Sequence, residues 1–95
     1  MRLRDQYPKL ANFFSSWFPD ADLDGLEDQD VVAEFLRTPN VDEHNAVRAE
    51  LERLLNQSET LPCEDIGKEA NRFFESEDDC RSWLSLLNDE FNTLM

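Results

Sequence analysis

Leu10-Ala11-Asn12-Phe13-Phe14-Ser15-Ser16-Trp17-Phe18-Pro19 is the stretch on which the fold turns. Its large apolar residues, Leu10, Phe13, Phe14, Trp17 and Phe18, fall at i, i+3, i+4, i+7 and i+8. That spacing lays them along one face of a helix and does not fit the alternation of a strand. Pro8 suits the first turn of such a helix, where its missing N–H costs nothing, and Pro19 is expected to stop it. A stripe carrying four aromatic rings has to be covered, and the rest of the chain supplies further helices to cover it.

An acidic loop is expected over residues 20–28. Val31, Val32, Phe35 and Leu36 then mark a short second helix, capped by Asp28 or Asp30 and ended by Thr38-Pro39. Asn40, with Glu43 three residues on, reads as a variant capping box. It opens a third helix with the stripe Val47, Leu51, Leu54 and Leu55, closed by Asn56-Gln57-Ser58. Pro62 opens a fourth helix with Ile66, Ala70 and Phe73 or Phe74 inward; Gly67 inside it costs up to ~1 kcal/mol against Ala. Ser76 and Asp79 signal another cap, and Glu77, Asp78 and Asp79 suit the positive end of a last helix. That helix is expected to bury Cys80, Trp83, Leu84, Leu87, Phe91 and Leu94. Neither a hairpin signal nor a repeat or linker interrupts the pattern. The expected architecture is all-α: one domain over residues 1–95, a small bundle of four or five helices with short loops.

The 95 residues carry nine Lys and Arg against 22 Asp and Glu, a formal charge of −13. Such a chain repels nucleic acid and anionic membranes and attracts cationic proteins. No apolar run approaches the roughly 20 residues of a membrane span, and the first residues lack the apolar core of a signal peptide. Cys63 and Cys80 form neither a C-x-x-C pair nor a secreted disulfide framework. These features point to the reducing cytoplasm. With no H-E-x-x-H, no zinc-ligand spacing and no phosphate-cradling Gly loop, the chain is expected to be no enzyme and to need no cofactor or metal. His44 reads as a surface residue in the first turn of the third helix, and the two cysteines as small apolar fillers. Asp20-Ala21-Asp22-Leu23-Asp24-Gly25 matches the first half of a calcium-binding EF-hand loop. The second half fails, because Glu27 stands at position 8 and Val31 at position 12, where a bidentate Glu is required.

Tyr7-Pro8-x-Leu10, Phe13-Phe14, Trp17-Phe18, Asp20-Ala21-Asp22-Leu23 and the run from Asp30 through Val31, Val32, Ala33, Glu34 and Phe35 to Leu36 carry a family resemblance. So do Glu50-Leu51-Glu52-Arg53-Leu54-Leu55 and the later Trp83-Leu84 with Leu87. Together they resemble the CdiI-type immunity proteins of bacterial contact-dependent growth inhibition systems. Trp17-Phe18-Pro19 departs from the Tyr-Phe-His common in that family, and residues 58–76 match nothing in its layout. The resemblance implies a cytoplasmic antidote, monomeric when free. It would form a 1:1 complex with the cognate toxin domain of a surface effector protein, and that toxin is expected to be a nuclease, an RNase in the first instance. Two other readings stand beside it: a calcium-binding helix-loop-helix protein using residues 20–30, and an acidic nucleic-acid mimic.

Two acidic surfaces are the candidate toxin-binding sites. One comprises Asp20, Asp22, Asp24, Glu27 and Asp28, with Asp30 beside them; the other comprises Glu75, Glu77, Asp78 and Asp79. Helix capping and solvation are the ordinary explanation of both. A turn shared by family members suits the fold, whereas toxins differ between members. Specificity is therefore expected to lean on residues 61–79, with Phe74 or its neighbour Phe73 as an aromatic anchor.

Overall fold

A computed structural model describes residues 3–57 and 60–95, without the side chain of Asp22. Among them six helices and no strand are found: α1 (Leu3–Gln6), α2 (Pro8–Asp24), α3 (Asp28–Leu36), α4 (Val41–Asn56), α5 (Cys63–Ala70) and α6 (Glu77–Leu94). The all-α bundle matches the expectation, with the single turn α1 added to the five helices read from the sequence. Ser58, expected to help close the third helix, lies outside the described residues.

The aromatic stripe makes α2 the central element, packed against α1, α3, α4 and α5, while α6 crosses α3 and α4. Phe13 is the hub. Its ring lies 4.6 Å from Phe35 of α3 and 5.7 Å from Phe91 of α6. Leu10, Phe14 and Phe18 are fully buried beside it, with Val31, Val32, Val47, Leu51, Leu54, Leu84 and Leu87.

The start of α2 is held by α4. Glu50 accepts a hydrogen bond from the Leu10 N–H at 3.0 Å, satisfying one of the open donors of that helix end. Tyr7 is buried, donates to Gln57 at 3.1 Å and lies beneath the Arg53 guanidinium at 4.8 Å. The residues that carry the family resemblance here are thus used in holding helices together.

Several expectations are corrected. Pro19 does not stop α2; the helix continues to Asp24 with Pro19 inside it. The lost N–H costs a hydrogen bond, but continuing the helix keeps Phe18 and Ala21 on the buried face. Gly25, in the left-handed region at φ 72°, ends the helix instead. Neither Asp28 nor Asp30 is the N-cap of α3: Glu27 is, and Asp30 reaches back to accept its backbone N–H at 3.2 Å. His44 is buried rather than on the surface, its ring 4.9 Å from that of Phe35 and its Nε2 2.9 Å from Thr38 Oγ1. The Thr38 hydroxyl donates to the Phe35 carbonyl, so the imidazole N–H serves Thr38. Leu94 is half exposed, because the final turn of α6 runs past the end of the bundle.

The caps at Asn40 and Ser76 form as read: Asn40 accepts from the Glu43 N–H, and Ser76 from the Asp79 N–H, both at 3.2 Å. The fourth helix ends earlier than its apolar pattern suggests. Asn71 adopts a left-handed conformation at φ 56°, and Arg72 N–H returns to the Gly67 carbonyl at 2.8 Å. A Cβ on Gly67 would lie 2.6 Å from the Arg72 carbonyl oxygen, so glycine is what allows this return.

Candidate functional site

The histidine and the two cysteines are engaged inside the fold. His44 is enclosed and committed to Thr38. Cys80 is buried and hydrogen-bonded to Cys63; burial first, and that bond second, push its thiol well above the ordinary range, away from the reactive thiolate. No helix among the described residues is long and apolar enough to cross a membrane. The EF-hand reading fails in the backbone. Residues 20–24 are helical and only three residues separate α2 from α3, so the twelve-residue loop is not formed.

What remains is an acidic surface, and the structure sorts its members. Asp20 and Asp24 are exposed on the last two turns of α2. The side chain of Asp22 lies outside what is described. Glu27 is exposed at the N-cap of α3. Asp28 differs from all of these. Its carboxylate is only about 22% exposed and accepts from Arg72 Nε at 3.2 Å, from Arg72 Nη2 and from the Trp83 indole N–H. The same guanidinium covers the Phe18 ring at 5.4 Å and donates to the carbonyl of Asn71 at 3.0 Å.

That seam brings the two acidic stretches together. Arg72 immediately precedes Phe73, Phe74 and Glu75, and Asp28 opens α3, so residues more than 40 apart in sequence meet at one edge of the bundle. Phe74 turns inward, its ring 5.4 Å from that of Trp83, whereas Phe73 is 86% exposed. Glu75, Asp78 and Asp79 are exposed. Glu77 is partly engaged: it accepts the Leu61 N–H at 3.1 Å and lies 3.9 Å from Arg81.

Sequence reasoning missed Arg72 and Trp83 as partners of Asp28, and the outward projection of Leu23, also 86% exposed. Asn71 was the available clue to the first, since Asn tolerates the left-handed conformation that ends a helix. It would have detached Arg72 from the fourth helix. No local signal marked the Trp83 contact, which is set by how α6 crosses α3.

A family model described as CdiI immunity protein matches residues 6–91. Among curated proteins nothing matches, nor does any solved structure.

Proposed function

The chain belongs to the CdiI immunity protein family, and from that premise we propose that it is the cytoplasmic antidote to one basic nuclease toxin, bound 1:1 through the acidic edge around the Asp28–Arg72 seam. The family match over residues 6–91 carries the immunity role, the neutralisation of a contact-dependent inhibition toxin. The finer reading rests on charge. A nuclease that grips phosphates presents cationic groups, and a protein of net charge −13 complements them while being repelled by the RNA or DNA they act on. Attraction of this kind speeds encounter and rejects wrong partners.

A stable complex of this type buries about 1,600 Å² in total, and a few anchors supply most of the affinity. Phe73 and Leu23, exposed beside acidic residues, are the apolar anchors such an interface requires. Asp20, Asp24, Glu27, Glu75, Asp78 and Asp79 would form its charged remainder; Asp28 and Phe74 would support it from behind. Binding is the whole of the proposed activity, with no catalytic step.

The test is co-expression. Cells producing the toxin domain encoded beside this chain should grow when the chain is present and die without it, and toxins from unrelated systems should kill in both cases. Cellular RNA degraded in the unprotected cells and intact in the protected ones identifies the toxin as an RNase. Protection against unrelated toxins, or none against the neighbouring one, would overturn specific immunity.

A further inference from the structure

The continuation of α2 past Pro19 creates a feature that the acidic residues alone do not explain. Between the end of α2 and the flank of α3 lies a groove of about 320 Å³. It is lined by the half-buried Trp17 and Leu26, with Ala21 and Val31 buried beneath them, and by the carboxylate residues Asp20, Asp24 and Glu34. Trp17 is half-buried, with its ring edge-on to Phe35 at 5.6 Å. Asp20 and Asp24 are one helical turn apart and both line the same groove.

Asp24, in the last turn of α2, works against the helix that carries it, and Asp20 stands one turn before it. A helix C-terminus is the negative end of the dipole, where acidic side chains are unfavourable and basic ones are preferred. The last turn of α2 contains no basic residue, and neither Asp20 nor Asp24 makes an ion pair among the described residues. Among the described residues Glu34 pairs with Arg37, an exposed i, i+3 contact at 2.9 Å that is readily exchanged. Asp20 and Asp24 thus have no internal cation among the described residues and can accept an external one.

We propose that this groove receives a single arginine side chain from the basic surface of the toxin, its methylene stem over Leu26 and its guanidinium between Trp17, Asp20 and Asp24. The occupant follows from the chemistry of the walls. An indole face and carboxylates one turn apart match a planar guanidinium, which stacks and hydrogen-bonds at once; an ammonium does only the second well. The volume lies at the small end for a ligand site, enough for one long side chain and too little for a folded element. The assignment rests on the immunity reading above for the source of the arginine, while the groove's own chemistry can be examined without any toxin.

The experiment therefore has two arms. In the first, the whole chain is titrated with N-acetyl-arginine amide, and with the neutral citrulline analogue, while both Trp indole N–H signals are followed by NMR. The Trp17 signal and the amides of residues 20–26 should move and saturate with the arginine probe only. The Trp83 indole, engaged with Asp28, should stay in place. Equal responses to citrulline, or shifts spread over every acidic residue, would overturn the groove. In the second arm, Asp20→Asn combined with Asp24→Asn is compared with wild type against the protected toxin. The expected result is a melting temperature unchanged or raised, with affinity about tenfold weaker. Undiminished affinity would remove the groove from the interface and leave immunity standing. Failure of wild type to protect, with the arginine probe still bound, would remove the immunity reading and leave the groove.

Discussion

Asp28 and Glu75 belong to the two acidic stretches of this chain and look alike in sequence, each flanked by further acids. In the folded protein they have little in common. Asp28 is held between Arg72 and Trp83, drawn from two other parts of the chain, and helps fasten α3 to α6 and to the turn after α5. Glu75 stands in solvent before the cap of α6. A carboxylate becomes structural when a distant donor reaches it and desolvates it, and composition does not report that. Phe74 and Phe73 repeat the contrast in apolar form, one against Trp83 and the other in water.

The contrast can be broken or sharpened by substitution, and the largest effect is expected at Phe74. Truncation to Ala removes the ring that backs Trp83. Full burial would cost about 3–5 kcal/mol, so a half-buried ring should cost about 2–3 kcal/mol. In a domain of this size that lowers the melting temperature by roughly 10 °C or more. Phe73→Ala should leave the melting temperature alone and speed dissociation of the toxin complex. Equal thermal effects at the two positions would erase the distinction.

Asp28→Ala comes next. It leaves Arg72 and the Trp83 indole without their acceptor, at a cost of about 2 kcal/mol, because hydrogen bonds to charged, mostly desolvated groups are the stronger ones. Thermal unfolding measures it, and a loss of protection no greater than the loss of folded protein would confirm the carboxylate's internal role. Ser76→Ala should cost about 1 kcal/mol through the lost cap, visible as a shift in the denaturant midpoint at constant slope. Glu75→Lys stands at the bottom of the scale, within ~0.5 kcal/mol in stability. Its expected signature is a slower association with the toxin and a weaker dependence of that rate on salt. A marked fall in melting temperature for Glu75→Lys would mean that this stretch, too, is structural.

Much of the fold was legible. The stripe from Leu10 to Phe18, the Val47-Leu51-Leu54 row and the caps at Asn40 and Ser76 are local patterns, and local patterns are what periodicity and capping rules read. The misreadings share a cause. Pro19 breaks a helix by local rules, yet burial of Phe18 and Ala21 outweighs the lost hydrogen bond. His44 reads as a surface residue of a helix's first turn, but Phe35 and Thr38 of another segment enclose it. Of the candidate site, the acidic and aromatic residues were visible as a list. Which of them are exposed in the folded protein was not.

Sequence by itself determined that this protein is a helical bundle and that it is strongly acidic, with a net charge of −13. Both properties are sums over residues: a period of 3.6 in apolar character and an excess of carboxylates over cations. Only the tertiary structure decided that Asp28 is a fastener, that Phe73 and not Phe74 faces outward, and that Asp20 and Asp24 border a groove lined by Trp17. Those are relations between segments distant along the chain, settled by how α3 and α6 pack around α2, and a side chain's role depends on which groups that packing brings within reach of it.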